Sequence, residues 1–418
     1  KVDYFVGIPL CFLLTLAVRL MAWVAGERAG GAPSTRAGGA VRKILFIELS
    51  EMGSTIIASA MIRRVQQRYA EAEHCFCIFK KNAASLRLLG LFREENIFTI
   101  RDDSLAHMAT DVWNFMAFCR RERIDTVIDL ELFSRISSLL SLLSGARTRV
   151  GFHNYRAEGL YRGEHLTYRV NYNPYHHMSQ NFLALVEAME APDEIPTPKF
   201  VIPPQPPPVR VALDPEAFAY VQNALRQCYP ITAQHSIIVV NHDAGSMLPI
   251  RTWPRDRFVA LIRRLLANDP RRLVVLMGIS EAAASARDIT AQVGDARCID
   301  FVGRTRTLTD VLQLFHQSDL LITNDSGPAH FATLTRIKSI TLFGPETPVL
   351  YGTLGEHNVD LFAKLACSPC LSAFNHRHSP CVDNKCLQAT RVEQVLAEAE
   401  RLLAIPSTRV TLPAAVEA

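Results

Sequence analysis

The fold is constrained most strongly by short, continuously apolar runs that alternate with stretches of helical periodicity. In the first half, these runs occupy residues 42–47, 75–79, 125–130 and 147–150. The same pattern restarts after residue 208, with runs at residues 236–240, 272–277, 319–323 and 338–343. Strands that are apolar at every position are typical of parallel sheets covered by helices on both faces. We therefore predict an α/β protein with two doubly wound, Rossmann-like domains facing a cleft.

A proline-rich stretch at residues 203–208 separates the two halves, and it cannot form a helix or a central strand. We interpret it as a semi-rigid linker between a first domain at residues 41–202 and a second at residues 209–390. A closing amphipathic helix is predicted at residues 391–404, followed by a loose tail at residues 405–418. Hydrophobic residues make up 49% of the chain, which excludes disorder, and the net charge of +4 is too small to suggest nucleic-acid binding.

An apolar segment precedes the first domain. Residues 4–18 carry no charge, Arg19 interrupts the run, and residues 20–25 resume it. Together they reach the ~20 residues that a helix needs to cross a bilayer. Trp23 suits an interfacial anchor. The segment therefore predicts a membrane anchor helix within residues 1–25, with membrane contact through residues 4–25.

The side of the membrane is indicated by the charges around this segment. Basic residues follow the run, whereas only Lys1 and Asp3 precede it, so the domains are placed on the cytoplasmic side. Residues 26–40 are rich in Gly and Ala and are predicted to form a flexible tether. Pro9 and Arg19 leave a re-entrant or interfacial helix open as an alternative to a full span. A cleaved signal peptide is disfavoured because no basic stretch stands before Tyr4.

The stretch at residues 320–345 follows an apolar run, and ligands of open α/β sheets bind beyond the carboxyl ends of the strands. Asp325 or Ser326 can cap the helix that begins there, Gly327 permits close approach of a ligand, and His330 lies one turn along. A helix start of this kind binds anions. The same pattern is also common in α/β proteins as an ordinary capped helix without a ligand.

Two other loops of the second half carry suitable charges. Arg251 can pair with a phosphate in bidentate fashion, and Glu281 places a carboxylate at another helix start. A helix start, an arginine and a carboxylate together predict a nucleoside-diphosphate ligand. Two Asp residues spaced Asp-x-Asp, the usual ligands of a metal-clamped diphosphate, occur nowhere in the chain. The sequence therefore favours charge neutralisation by a helix end and an arginine.

Several of these loop sequences resemble the motifs of a known protein family. TNDSGPAHFA at residues 323–332, followed by SITLFGPETP at residues 339–348, resembles the signature of glycosyltransferase family 9, the bacterial heptosyltransferases. The resemblance extends to IRTWP, LMGISE, GARTRVGF and ILFIELSEMGS, and so covers about residues 41–403. It implies a GT-B fold, with the acceptor on the first domain and the sugar nucleotide on the second. It also implies a donor site composed of Arg251, Glu281, Asp325, Ser326, Gly327 and His330.

One departure from the family concerns the catalytic base. The family's loop after the first strand ends in an Asp thought to deprotonate the acceptor hydroxyl, and here Ser54 takes that position. A serine hydroxyl without a partner is a poor base near neutral pH. Glu51 is our first candidate for the base. Asp129 or Glu131 could reach in instead, or catalysis could be lost.

A cysteine cluster lies near the end of the second domain, comprising Cys367, Cys370, Cys381 and Cys386. The first pair has metal-ligand spacing, but four residues separate the second pair, so the zinc-ribbon pattern is incomplete. A structural zinc ion is compatible with this composition. Reduced thiols are favoured over it, and disulfides are disfavoured in the cytoplasm.

These inferences predict a glycosyltransferase attached to the cytoplasmic side of a bacterial inner membrane. It would be inverting and metal-independent, need no cofactor, and move a sugar from a nucleotide-diphosphate donor to a lipopolysaccharide or other lipid-linked surface glycan. The resemblance suggests heptose, with ADP-heptose as donor. Two alternatives stay open. One is a GT-B scaffold subunit of a polysaccharide-assembly complex that has lost its base, and the other is a GT-B sugar-nucleotide epimerase.

Overall fold

A computed structural model describes residues 2–24, 41–153, 160–191, 201–204 and 207–410. The chain divides into two compact units, an amino-terminal unit, Lys1–Pro207, and a carboxyl-terminal unit, Pro208–Ala418. The predicted tether at residues 26–40 lies outside the described residues, as do residues 205 and 206 of the predicted linker.

The amino-terminal unit contains six strands and seven α-helices among its described residues. They are, in chain order, α1 (Val2–Phe5), α2 (Gly7–Val24), β1 (Lys43–Ile47), α3 (Met52–Arg68), β2 (Glu73–Phe79), α4 (Ala83–Leu89), β3 (Ile97–Ile100), α5 (Leu105–Glu122), β4 (Thr126–Asp129), α6 (Arg135–Leu143), β5 (Thr148–His153), β6 (Tyr168–Asn171) and α7 (Met178–Glu190). The strands form one sheet in the order β3-β2-β1-β4-β5-β6, and every pairing is parallel. This is the strand order of a Rossmann sheet.

The carboxyl-terminal unit repeats this plan. Its elements are α8 (Pro215–Cys228), β7 (Ser236–Asn241), α9 (Arg255–Asn268), β8 (Arg272–Met277), α10 (Ala283–Val293), β9 (Cys298–Asp300), α11 (Leu308–His316), β10 (Leu320–Asn324), α12 (Gly327–Ala332), β11 (Lys338–Phe343), α13 (Pro348–Tyr351), β12 (Asn358–Phe362), α14 (Lys385–Gln388) and α15 (Val392–Leu403). The sheet order is β12-β11-β10-β7-β8-β9, again fully parallel. Read in the opposite direction, from β9 to β12, this order repeats that of the first sheet, with β7 in the place of β1.

The continuous apolar runs are the central strands, as predicted. Every residue of β8, β10 and β11 is buried, because helices cover both faces of the sheet. Trp253 is fully buried and lies edge-on to the ring of Phe258, in the core between the sheet and α9. These packed faces hold the loops at the carboxyl ends of the strands in fixed positions.

The predicted loose tail was wrong for its first residues. Arg409 donates from Nη1 to the carbonyl oxygen of His235 over 2.7 Å, and the Val410 amide donates to the carbonyl oxygen of His316 over 2.8 Å. Thr408 donates to the carbonyl oxygen of Arg336 over 2.8 Å. These hydrogen bonds attach the chain through Val410 to the carboxyl-terminal unit, and residues 411–418 lie outside the described part.

Helix α2 is, by length and composition, the one helix in the described part of the chain that is apolar enough to cross a membrane. The apolar window runs from Asp3 in α1 to Leu20 in α2 and is only 17% buried. A turn at Val6 separates α2 from the short α1. The helix packs against α6 of the amino-terminal unit.

Candidate functional site

Each sheet has one switch point, where the connections of neighbouring strands run in opposite directions. The switch lies between β1 and β4 in the first sheet and between β7 and β10 in the second. Ligands of doubly wound sheets bind at this point, beyond the carboxyl ends of the strands. Glu51 and Ser54 follow β1, whereas Arg251 and Asp325 follow β7 and β10. Each sheet therefore presents charged or polar side chains where a ligand is expected.

Arg251 and Asp325 are brought together from two separate loops. The Arg251 Nη1 atom donates to Asp325 Oδ2 over 3.4 Å, and the Asp325 side chain is only 5% exposed. The Arg251 Nε atom is buried and has no hydrogen-bond partner among the described atoms. Leaving a buried donor unpaired costs about 1–3 kcal/mol, so this nitrogen is suited to an incoming anion.

The turn after β10 is fixed by amide hydrogen bonds. Asn241 donates from Nδ2 to the hydroxyls of Thr323 and Ser326, both over 3.1 Å. The Trp253 backbone amide donates to Asn324 Oδ1 over 2.8 Å, which ties the Arg251 loop to the end of β10. The relative position of Arg251 and Asp325 is thus set by two asparagines that sequence reasoning did not single out.

The predicted cap of α12 takes a different form. Ser326 occupies the N-cap position, but neither Asp325 nor Ser326 caps the helix with its side chain, because the Ser326 hydroxyl donates to the Asn324 carbonyl. The helix is six residues long, so its dipole is small. Gly327 begins it, and the side chain of His330 is buried one turn along. Arg251, more than the helix dipole, is the source of positive charge here.

Two further carboxylates lie on or just after the next strands of the sheet: Glu346 is buried and Asp360 is partly buried. Glu346 follows β11, and Asp360 lies on β12. Burial and the negative charge of Asp325 raise the pKa of Glu346 to about 8, and burial raises the pKa of Asp360 to about 7. Burial also raises the pKa of Asp325, which the Arg251 charge opposes. Neither Glu346 nor Asp360 was predicted as a site residue.

Glu281 lies in the turn after β8, at the same edge of the sheet. Its side chain is exposed and accepts a hydrogen bond from Ser280 Oγ over 3.2 Å. The structure therefore places all six predicted donor residues beyond the carboxyl ends of β7, β8 and β10. Among them, Arg251 and Asp325 are in direct side-chain contact.

In the amino-terminal unit, Glu51 and Ser54 form a pair at the start of α3. Glu51 is the N-cap residue, and its carboxylate accepts a hydrogen bond from the Ser54 hydroxyl over 3.1 Å. Both residues are partly exposed. A carboxylate that a neighbouring hydroxyl orients and that solvent reaches can accept a proton from a bound hydroxyl.

Glu131 stabilises the loop between β1 and α3 through hydrogen bonds. Its Oε1 atom accepts hydrogen bonds from the backbone amides of Leu49 and Ser50 over 2.8 and 2.9 Å, and from the Ser50 hydroxyl. Burial raises the pKa of Glu131. Since its Oε1 atom accepts from three groups of this loop, Glu131 holds the loop that presents Glu51.

Asp129 is fully buried against Arg162, with which it forms an ion pair. Arg162 also donates from Nη1 to the Glu131 carbonyl over 3.0 Å and from Nη2 to Ser137 Oγ over 2.9 Å. An aspartate enclosed by a buried guanidinium is a structural anion. Arg162, which sequence reasoning missed, thereby supports the loop next to Glu51.

The cysteine cluster holds free thiols. Ser379 Oγ donates to Cys370 Sγ over 3.3 Å, Cys381 Sγ donates to the Asp383 carbonyl over 3.2 Å, and Cys367 is exposed. Burial raises the pKa of the Cys386 thiol. In the part of the chain that the structure describes, no group of three or more His, Cys, Asp or Glu side chains is arranged to hold a metal ion.

The sequence profile of glycosyltransferase family 9 (heptosyltransferase) matches residues 112–378, which is more than half of the chain. This chain belongs to glycosyltransferase family 9. The matched region includes Arg251, Glu281 and the turn Asp325–Gly327.

Two curated relatives are lipooligosaccharide heptosyltransferase 2 from two strains of Campylobacter jejuni. They are 33% and 32% identical to this chain over 97 and 98 residues. These alignments cover 23% of this chain and only 29% and 30% of the length of the relatives. Membership of the family is therefore shown by the profile match over residues 112–378.

Solved structures of the family share the fold. Escherichia coli ADP-heptose LPS heptosyltransferase II is 19% identical, with a TM-score of 0.63 over 87% of this chain and 98% of that one. A family 9 glycosyltransferase from Veillonella parvula is 17% identical, with a TM-score of 0.66 over 88% and 99%. E. coli heptosyltransferase WaaC with ADP is 16% identical, with a TM-score of 0.60 over 86% and 99%. The two parallel six-stranded sheets are therefore those of the GT-B heptosyltransferases.

Proposed function

We propose that this chain transfers a sugar from a nucleoside-diphosphate donor to a hydroxyl of a lipopolysaccharide or other lipid-linked glycan. Heptose, carried by ADP, is the sugar that the family favours. Support comes from the heptosyltransferase relatives and from WaaC, whose structures contain ADP and ADP-2-deoxy-2-fluoro heptose.

The observation that carries the proposal is the Arg251–Asp325 pair at the switch point of the second sheet. The Arg251 Nε atom is buried without a partner, and its Nη1 contact to Asp325 is long at 3.4 Å. A diphosphate can engage the free edge of the guanidinium while Asp325 holds the opposite edge. The buried carboxylate orients the arginine before the donor arrives.

In the proposed reaction, the bond between the anomeric carbon and the diphosphate oxygen breaks, and the nucleoside diphosphate leaves. The acceptor oxygen forms the new bond from the opposite face and inverts the configuration. Negative charge grows on the leaving oxygen, so Arg251 stabilises the transition state more than the bound donor. No step requires a cofactor.

The acceptor hydroxyl loses its proton as it attacks, and we assign this proton to Glu51. Asp129 is paired with Arg162 and Glu131 holds the loop amides, whereas Glu51 is partly exposed. The Ser54 hydroxyl orients the Glu51 carboxylate. Ser54 thus assists the base and is not itself the base.

We place the enzyme at the cytoplasmic face of a bacterial inner membrane. Helix α2 exposes a largely apolar surface, and the basic residues that follow it in the sequence suit the anionic lipids of a cytoplasmic leaflet. An acceptor carried by a lipid is available only at a membrane, so attachment raises its local concentration.

Nucleotide binding tests the donor site. Titration of the purified chain with ADP, UDP and GDP in a calorimeter is expected to give one preferred nucleotide, with ADP the tightest. Absence of binding by all three would contradict the proposed donor site. Binding without transfer to acceptors from membrane extracts would instead favour the scaffold alternative.

A further inference from the structure

Helix α2 is fastened to the amino-terminal unit by a narrow stripe of small residues. Gly7, Cys11 and Thr15, spaced four apart, are buried. A Cβ atom added to Gly7 would lie 2.8 Å from the Cβ atom of Arg135, so only glycine permits this approach. The helix is therefore seated on the protein along its length.

Polar contacts fasten the segment near both ends. At one end, Asp3 Oδ1 accepts hydrogen bonds from the backbone amides of Arg135 and Ile136 over 2.9 and 3.1 Å, and so caps α6. Asp3 Oδ2 also accepts from Arg135 Nη1 over 3.0 Å. At the other end, Arg19 donates to Glu164 Oε2 from Nε over 3.1 Å and from Nη2 over 2.5 Å. The Glu164 amide donates to Thr15 Oγ1 over 3.2 Å.

The rest of the helix surface is apolar and exposed. Its exposed large side chains, from α1 onward, are Tyr4, Phe5, Val6, Leu10, Phe12, Leu13, Leu16, Leu20, Trp23 and Val24. Tyr4 and Trp23 stand near the two ends, where amphipathic aromatic rings prefer the boundary between lipid and water. A continuous apolar surface of this kind marks a membrane or protein contact.

We infer that α2 is a monotopic membrane helix, which lies in the plane of the bilayer surface while docked on the amino-terminal unit, and does not span the bilayer. A spanning helix that kept these contacts would carry Arg135 and Glu164 into the hydrocarbon, where charged groups are costly. A helix in the plane keeps both polar contacts at the interface and still buries its apolar face in lipid.

The positive charge in and around the helix indicates that its apolar face contacts a surface of anionic lipids. Residues 1–42 contain five Lys or Arg against two acidic residues, so most of the chain's net charge of +4 lies in and just after the helix. Basic groups beside an inserted apolar helix bind anionic headgroups. The inference requires only this charge and this surface, and it does not rest on the transferase activity.

The docking geometry gives the helix a direction relative to the sheet. Asp3 caps α6, whose start follows β4, so the first turns of the segment lie at the carboxyl edge of the sheet. The Glu51 loop lies at that edge too. A helix docked in this way brings the lipid surface to the edge where a lipid-linked acceptor is bound.

The first arm of the test measures sedimentation of the full chain with vesicles of phosphatidylethanolamine and phosphatidylglycerol. The double variant Leu13→Glu/Leu16→Glu is expected to lose about a hundredfold or more of vesicle affinity, since two exposed leucines no longer enter lipid. The matched control Val382→Glu changes an equally apolar, fully exposed side chain outside the helix and should bind like the wild type. Unchanged binding of the double variant would overturn the lipid contact.

The second arm separates an in-plane helix from a span. Hydrogen exchange at the amides of Arg135 and Ile136 is followed in the vesicle-bound protein, because Asp3 protects them only while the segment stays docked. Protection as strong as in the free protein, together with release from vesicles by alkaline carbonate, is the expected result. Rapid exchange of these amides on vesicles, or retention after carbonate, would overturn the in-plane arrangement.

Discussion

The Ser54 hydroxyl donates a hydrogen bond to the Glu51 carboxylate over 3.1 Å, across the first turn of α3. Ser54 occupies the position where the family resemblance leads one to expect an Asp. We propose that Glu51, three residues earlier at the N-cap position, supplies the carboxylate of this site, with the serine as its hydrogen-bond partner.

Glu51→Gln is expected to lower turnover about 10²–10⁴-fold, because general-base catalysis contributes that range. Donor affinity should stay unchanged, because Glu51 belongs to the other unit. Initial rates of nucleoside-diphosphate release and calorimetric titration with ADP measure the two effects. Glu71→Gln, which removes an exposed charge from the same unit, is the matched control.

The Ser54 position offers a rescue of that variant. Ser54→Asp introduced into the Glu51→Gln background should recover part of the lost rate, since it restores a carboxylate at the start of α3. A fully active Glu51→Gln enzyme would move the assignment of the base to another group.

Arg251→Ala is expected to weaken ADP binding about tenfold to a hundredfold, because a charge-assisted contact contributes ~1.5–3 kcal/mol. Asp325 loses its buried partner in this variant, so titrations should be run well below the midpoint of thermal unfolding. Arg255→Ala removes the same charge from an exposed pair with Asp288 and should leave ADP affinity intact. Equal affinity in all three proteins would refute the role of Arg251.

Glu346 links donor binding and stability to pH. Its pKa is raised from 4.5 to about 8, so between these values the folded state holds a proton that the unfolded state has released. The contribution of Glu346 to the free energy of unfolding is therefore fully present below pH 4.5 and is lost as the pH rises from 4.5 through about 8. The loss is on the order of several kcal/mol. Glu346→Gln should stabilise the protein more at pH 9 than at pH 6, as measured by denaturant unfolding.

Ionisation of Glu346 should also weaken binding of the nucleotide donor. Above pH 8, ionised Glu346 adds a negative charge near Asp325 and Arg251, so ADP affinity of the wild type should fall. In Glu346→Gln this fall should be smaller. Parallel pH profiles of ADP affinity in the two proteins would show that Glu346 does not face the diphosphate.

Removal of residues 1–40 should leave both units folded but abolish sedimentation with membranes. Asp3 is lost with this segment, so the amides of Arg135 and Ile136 lose an acceptor and stability should drop by about 1 kcal/mol, while Ser134 still caps α6. Thermal unfolding and vesicle sedimentation measure the two effects. Continued pelleting of the truncated chain with lipid would place the membrane contact elsewhere.

The sequence predicted the eight central strands because burial on both faces makes most of their residues apolar. It missed four edge strands, β3, β6, β9 and β12, which have three to five residues and only partial burial. An edge strand is covered on fewer sides, so its composition resembles that of a loop.

The position of the turn Asp325–Gly327 beyond β10 was predictable, because a single loop contains the signal. The roles of Glu346 and Arg162 were not, because each depends on burial beside a residue from a different strand or loop. The Glu51–Ser54 contact could have been inferred, since residues three apart at a helix start meet. The same spacing argument applies to Gly7, Cys11 and Thr15, whose stripe indicates docking.

The most direct test of the central claim is a transfer assay with the purified full chain, ADP-heptose and membrane glycolipid as acceptor, in which ADP release and labelled acceptor are measured together. We expect ADP and labelled acceptor to appear at equal rates, to require the acceptor, and to decrease in Arg251→Ala and in Glu51→Gln. ADP-heptose that binds but is never transferred to any acceptor glycan, with no gain from Ser54→Asp, would contradict this claim.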